Sequence, residues 1–351
     1  MTAASPEHST KDAALSSPHH MHLRQADFMS SDRSQRLALP LLILGAVLIS
    51  ASGIYVKLSD VGPTTTGFYR MFLSMPVYAV VLLIAVRRRT GRAETLLPPI
   101  SRNAWWALWV SGFFLALDLI AWHWSMHYIS VAAATLLGCT APVWVALMGF
   151  LFFGERFSLR FLCGLAIAMA GVAFLVLGGA TKFSVTDGIG VVCGFLAAIC
   201  YAFYLRGVKA ARDSLRVSQM MFWNAVIASV ILLPIACITE TGFLPHSLKG
   251  WVAVFGVALT SQVIGQGLIG WSMAHLSAAF SSLTLLLTPV ASAILAWFTL
   301  GETLTALQIG GGVGVLVGIT LAKPLNRPAA TASGDDEAAR DAAKPPKRVA
   351  A

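Results

Sequence analysis

The sequence predicts an all-α membrane protein, with ten transmembrane helices arranged as two inverted five-helix repeats. Three observations predict it. The chain is 57% hydrophobic and only 12% charged, where soluble domains carry roughly 25% charged residues. Its apolar residues gather into ten runs of about the 20 residues that cross a bilayer as a helix. A forty-eight-residue stretch that opens at Trp124-Ser125-Met126 recurs, opening at Trp271-Ser272-Met273, at a fixed spacing of 147 residues.

The ten runs are 37–58, 66–86, 104–127, 131–153, 161–177, 188–205, 219–238, 251–274, 278–300 and 307–321. Several are bounded by Pro, Gly or charge. The second begins beyond Gly62-Pro63 and ends at Arg87-Arg88-Arg89, and the fourth and ninth each stop at a Gly-Glu pair. The third and fourth are parted only by the turn-forming Ser130, the eighth and ninth only by Ser277. The division is then a first repeat over 37–177 and a second over 188–321. Residues 1–36 and 322–351 are rich in Ser, Ala, Pro and charge, and are expected as disordered cytoplasmic tails.

The net charge of +9 does not imply nucleic acid, because the basic residues cluster in short connections between apolar runs. That placement sets topology. With a cytoplasmic amino terminus, the cytoplasmic side holds Arg87, Arg88, Arg89, Arg92, Arg102, Arg156, Arg160, Arg206, Lys209, Arg212 and Arg216. The opposite loops hold only Lys182 and Lys249. Such a bias requires an even number of spans with both termini inside. Five spans per repeat is an odd number, so the second repeat enters from the other side. A fixed-period repeat defines architecture, and paired inverted halves are a transporter design.

The repeat carries its residues in register: Ser130 with Ser277, Ala132 with Ala279, Pro142-Val143 with Pro289-Val290, Gly154-Glu155 with Gly301-Glu302, Gly164 with Gly311 and Gly171 with Gly318. The runs Ser130-Val-Ala-Ala-Ala-Thr-Leu-Leu, Ala141-Pro142-Val143 and Gly154-Glu155-Arg156 resemble the EamA-like signature of the drug/metabolite transporter superfamily. Thr288-Pro289-Val290 and Gly301-Glu302 repeat it. The resemblance covers about Leu37 to Leu321. It implies an inner-membrane carrier of amino acids, other small metabolites or drugs, commonly an exporter. It also implies a central cavity lined mainly by helices three, four, eight and nine, with one and six contributing.

Ionisable groups inside a span are costly, about 2.5–3.5 kcal/mol at a helix centre, so Arg70 and Asp118 stand out. Asp118 lies roughly 21 Å along the third helix from its cytoplasmic end, and Arg70 at a similar depth in the second, roughly 20–22 Å above the inner surface. They are expected to pair across neighbouring helices, either permanently or until a solute or proton competes for one of them. Asp118, Trp122 and Ser125 share one face of the third helix by spacing. Trp124 and Tyr128 suit an interfacial aromatic belt, and His123 and His127 suit interfacial histidines that can titrate near neutral pH. Lys57 is either a snorkelling cation or a gate.

Gln262 and Gln266 on the eighth helix, and Asn224 on the seventh, are either ligand contacts or hydrogen-bonding glue. Pro142 and Pro289 are expected to kink equivalent helices, freeing carbonyls at Gly138 and Leu285, with Thr135, Thr140, Ser282 and Thr284 as nearby polar candidates. Glu155 and Glu302 suit a loop or capping role. Gly310, Gly314 and Gly318 form a small-residue ridge for close packing, within one chain or between two.

No Walker A pattern is present in the sequence, so an ATP motor is not indicated. The five cysteines form neither a metal nor a disulfide framework, and no cofactor or metal is expected. The expected partners are the lipid bilayer and a small solute, with or without a proton, and the chain as monomer or homodimer. Secondary transport by alternating access is the leading function. A membrane-embedded lipid-modifying enzyme and a non-transporting sensor or scaffold are the alternatives.

Overall fold

A computed structural model describes residues 35–90, 100–129, 131–179, 188–300 and 303–323. The tails, Ser130, Lys182 and Glu302 lie outside the described residues. Among the described residues nine helices are long and apolar enough to cross a membrane. They are α1 (Gln35–Val56), α2 (Pro63–Ile84), α3 (Arg102–Tyr128), α4 (Ala133–Phe153), α5 (Leu159–Gly178), α6 (Gly188–Arg212), α7 (Val217–Thr239), α8 (Leu248–Ser272) and α9 (Ala278–Thr299). A shorter apolar helix, α10 (Ala306–Ala322), follows. Its 17 residues rise about 25 Å, short of the roughly 30 Å hydrocarbon core.

Short polar residues start these helices by satisfying their first N–H groups. Ser101 accepts from Ala104 N at 3.3 Å before α3, Ser247 from Gly250 N at 2.9 Å before α8, and Ser277 from Phe280 N at 3.2 Å before α9. Thr305 and Gln308 close a capping box at α10, and Pro63 sits at the first turn of α2. At the end of α4, Gly154 adopts φ +63°, and Glu155 N donates back to Gly149 O at 2.9 Å. The Gly-Glu pair is therefore a left-handed helix stop that aims the glutamate sideways.

The two halves are inverted. α5 and α10, equivalent in the repeat, run antiparallel and pack along their length. A Cβ placed on Gly164 would lie 2.6 Å from Gly318 O, and one on Gly171 2.7 Å from Gly311 O. The repeat matches Gly164 with Gly311 and Gly171 with Gly318, so these are one contact generated twice by a two-fold axis. The remaining pairs obey the same operation: α1 packs on α8 as α6 packs on α3, α2 meets α7, and α4 meets α9. The packing ridge of α10 is Gly311, Gly314 and Gly318, each against α5 of the same chain. Gly310, expected on that ridge, faces open space. Gly314 and Gly318 keep their expected places, and Gly311 completes the ridge instead of Gly310 because it is the residue that meets the α5 backbone at Gly171.

Three further differences from the expected elements bear on the site. α6 continues to Arg212, so Arg206, Lys209 and Arg212 belong to its last turns rather than to a loop, where cations suit the helix dipole. The prolines break α4 and α9 into tight turns at Cys139-Thr140 and Leu285-Leu286. In α9 the Leu285 carbonyl, deprived of an N–H by Pro289, accepts from Thr288 N at 2.9 Å. Residues Val257–Gln266 of α8 form a π-helix, a local widening frequent at functional sites. Apolar periodicity shows no trace of it.

Candidate functional site

A buried polar cluster lies where α2, α3, α6 and α8 converge. The π-helix is central to it. Gln262 and Gln266, four residues apart, are 0% and 2% exposed. Arg70 Nε of α2 donates to Gln262 Oε1 at 2.9 Å. Tyr78 Oη, two turns further along the same chain segment, donates to the Gln262 backbone carbonyl at 2.6 Å. From α6, Tyr204 Oη donates to Gln266 Oε1 at 3.1 Å, and the Tyr201 ring lies against Tyr204 with centroids 5.5 Å apart. The Gln262 carbonyl, within the widened turn of α8, accepts the Tyr78 hydroxyl.

Arg70 and Asp118 do not form the expected direct pair among the described residues. Arg70 turns to Gln262 instead, and Asp118 of α3 acts on it through electrostatic attraction across the cluster. A neutral amide satisfies part of the guanidinium fork while the opposite charge stands apart. Gln262 Nε2 is buried and has no hydrogen-bond partner among the described residues. The cluster therefore gathers an arginine, an aspartate and an idle amide donor in one buried region, and an unpaired buried polar group is costly.

The cluster repeats in a neutral form. Ser111 Oγ of α3 donates to Asn224 Oδ1 of α7 at 2.6 Å. The two-fold axis exchanges α2 with α7 and α8 with α3, so this contact joins the helix pair equivalent to the one that Arg70 and Gln262 join, one turn away along α3. Charge has been kept on one side only.

The other residues singled out in the sequence are placed differently. Ser125 Oγ donates to Gly190 O at 2.8 Å and clamps α3 to α6. Trp122 lies against the α4 break, 3.8 Å from where a Gly138 Cβ would sit. Thr140 Oγ1 donates to Leu137 O at 2.6 Å and accepts from Trp144 Nε1 at 3.2 Å. Ser282 and Thr284 turn to the carbonyls of Ala279 and Phe280, each at 2.9 Å. Thr135 is half-buried beside the break. The Lys57 side chain lies outside the described residues. Thus α2 and α6 contribute more to the polar centre than the family resemblance implies, and the hydroxyls of α4 and α9 contribute less. Tyr78, Tyr201 and Tyr204 are absent from the sequence-based candidates, because a tyrosine in an apolar run carries no signal of its own. A recess of about 570 Å³ beside Ile100, Arg102, Trp105, Trp106 and Trp109 lies apart from this cluster and gathers no converging charges.

Both ends of the bundle are tied across the repeats. At the end rich in Arg and Lys, Arg206 of α6 donates to both oxygens of Glu155 at 2.5 and 3.1 Å, and to Val145 O at 2.8 Å. Lys209 Nζ donates to Met273 O at 2.8 Å and Arg212 Nε to Gly270 O at 3.1 Å, covering the end of α8. At the opposite end two carboxylates cap helices of the other repeat. Glu240, just past α7, accepts from Thr64 N at 2.7 Å and Thr65 N at 2.8 Å at the start of α2. Asp60, between α1 and α2, accepts from His246 N at 3.0 Å and Ser247 N at 2.8 Å before α8. Phe243 packs on Phe68 and Tyr69 beside this latch, with ring centroids 5.2 and 5.5 Å apart.

Burial opposes ionisation of Glu240, but the bonds from Thr65 and Thr64 outweigh it and hold the carboxyl below the usual carboxylate range. The Ser247 bond does most to lower Asp60, with help from the His246 N–H, against a smaller opposing effect of burial. A carboxyl lowered on folding contributes stability that is present at neutral pH and lost as pH falls through the lowered value. The thermal midpoint of purified protein should therefore drop on acidification below the usual carboxylate range. Glu240→Gln should start from a lower midpoint at neutral pH and show a smaller acid-induced drop; an unchanged acid profile would show that Glu240 does not hold α2.

The fold and its centre define a class: a two-repeat membrane carrier with a polar core at the junction of its halves. The model of the EamA-like transporter family matches residues 36–177 and 188–322, and the chain belongs to that family. It is similar to an uncharacterized transporter of Archaeoglobus fulgidus, 25% identical over 83% of this chain and 97% of the relative. It is also similar to a "probable terminal-alkyne amino-acid exporter" of Streptantibioticus cattleyicolor, 27% identical over 57% of this chain and 66% of that protein. The pseudopaline exporter CntI of Pseudomonas aeruginosa is 24% identical over 68% of this chain and 79% of its own length. A crystal structure superposes with a TM-score of 0.67 over 82% of this chain and 96% of the other, at 16% identity, a likeness of fold.

Proposed function

We propose that the protein is a secondary exporter of compact zwitterionic solutes, such as amino acids or amine-bearing drugs, working by alternating access in the bacterial inner membrane. The observation that carries this is the separation of Arg70 from Asp118 within one buried cluster. A solute carboxylate fits Arg70 and the idle Gln262 amide, an ammonium fits Asp118, and Tyr78, Tyr201 and Tyr204 wall the space. Arg and amide donors recognise carboxylates through paired hydrogen bonds. Relatives named as exporters of an amino acid and of pseudopaline support the solute class and direction.

The basic end, by its charge bias, is placed in the cytoplasm with both termini, and the Glu240–Asp60 latch faces outward. Ties at both ends describe a closed intermediate, and alternation breaks one set at a time. The test is counterflow in proteoliposomes with a panel of amino acids, amines and drugs, with and without a pH gradient. Exchange of at least one zwitterion is expected. Inactivity across the panel in correctly oriented, folded protein would remove the carrier reading.

A further inference from the structure

His123 is half-buried, with its Nδ1 fully enclosed, at a junction the solute site does not use. It lies on α3 five residues from Asp118, toward the latch end. A Cβ on Gly67 of α2 would lie 3.7 Å from its Cε1, and Trp122 neighbours its ring at 5.5 Å between centroids. Its Nδ1 is enclosed and has no hydrogen-bond partner among the described residues. The charged groups acting on it are Glu240 from the α7 end and Arg70 from α2. On its own helix the nearest titratable groups are Asp118 and His127. Gly67, which its ring meets, lies between the Thr64–Thr65 end of the latch and Arg70 on α2, so His123 stands between the latch and the solute site.

A neutral imidazole needs one donor bond and offers one acceptor, whereas an imidazolium donates from both nitrogens. In the latched arrangement nothing receives a proton held on Nδ1. Water supplies that acceptor only when the α2–α7 junction opens. We propose that His123 is the proton-binding residue that couples outward opening to the pH of the outer aqueous phase. A proton from outer water adds to the neutral ring, making imidazolium; no other bond forms or breaks. Glu240, freed from Thr64 and Thr65 as the latch opens, becomes its counter-charge. Imidazole titrates between about pH 5 and 8, which a carboxylate latch alone does not.

This rests on the carrier reading for its role in transport, but its test needs no solute. The probe is a membrane-impermeant maleimide acting on a single thiol, Thr66→Cys, in full-length protein with its five native cysteines replaced. Thr66 is buried one turn inside the latch end. With internal pH fixed and each rate divided by that of an exposed reference thiol at the same pH, to remove thiol ionisation, lowering external pH from about 8 to about 5.5 should raise the relative labelling rate about fivefold or more, with a midpoint in the imidazole range. His123→Gln should flatten that response, while Glu240→Gln raises labelling at both pH values and moves the midpoint of the response to lower pH, because the counter-charge is gone. A flat profile in the parent protein, a midpoint in the carboxylate range, or an undiminished response in His123→Gln overturns the inference. The midpoint alone decides it if His123→Gln does not fold. A pH-dependent probe rate in protein inactive across the counterflow panel would sink the carrier reading and leave the coupling of His123 to opening intact.

Discussion

Arg70→Gln is expected to reduce counterflow of a zwitterionic solute by about 10- to 100-fold. That range corresponds to the roughly 1.5–3 kcal/mol of a hydrogen bond to a charged group. The substitution removes the buried cation and strands Gln262 Oε1, which Arg70 Nε now satisfies at 2.9 Å. Arg70→Lys keeps the charge but loses the planar fork, so an intermediate loss is expected. Asp118→Asn should impair solutes that carry an ammonium and spare those that carry only a carboxylate, since Asp118 stands apart from the guanidinium. Rates are to be normalised to folded protein recovered in the vesicles. Wild-type rates and pH dependence in Asp118→Asn would remove Asp118 from the transport pathway and leave it a structural charge.

The second large effect concerns the seam between the repeats. Gly171→Leu and Gly318→Leu should each destabilise the protein by about 1–3 kcal/mol, the usual cost of overpacking. A Cβ at Gly171 would sit 2.7 Å from Gly311 O, and one at Gly318 2.5 Å from Gly164 O. Those neighbours are backbone, so no side chain can swing aside, and the α5–α10 pair must separate. Gly310→Leu is the control: open space surrounds that position, and a change within about 0.5 kcal/mol is expected of a site away from packing. The thermal midpoint in detergent separates the three variants. Equal midpoints for Gly171→Leu and Gly310→Leu would mean that the α5–α10 contact does not hold the halves together.

The same seam shows which features the sequence made legible. The fixed spacing matched Gly164 to Gly311 and Gly171 to Gly318 before any contact was known, and the inverted architecture followed from it. The small-residue pattern also placed Gly314 and Gly318 on the ridge but took Gly310 where Gly311 makes the contact, because spacing by itself does not set the rotation of a straight apolar helix. Glu155 was visible as a helix stop, since Gly154 must take a left-handed turn. Its partner Arg206, fifty-one residues on in the other repeat, was assigned to a loop. The cations at the end of α6 looked like topology signals and are also caps for α8 carbonyls and for Glu155. His123 looked interfacial because it sits near a helix end among aromatic residues, and only packing against α2 encloses it.

The chain's composition, its duplicated stretch and its charge bias determined the fold class and the inversion of its halves. Those properties depend on transfer from water to lipid and on chain direction, both of which are written residue by residue. The tertiary structure decided that Arg70 binds Gln262 instead of Asp118, that Tyr78 reaches the Gln262 carbonyl within a π-helix, and that Asp60 and Glu240 close one end across the repeats. Each of these depends on rotations about helix axes and on contacts between residues far apart in the chain. Hydrophobic patterning in an all-apolar helix leaves those rotations unspecified, so only packing could select them.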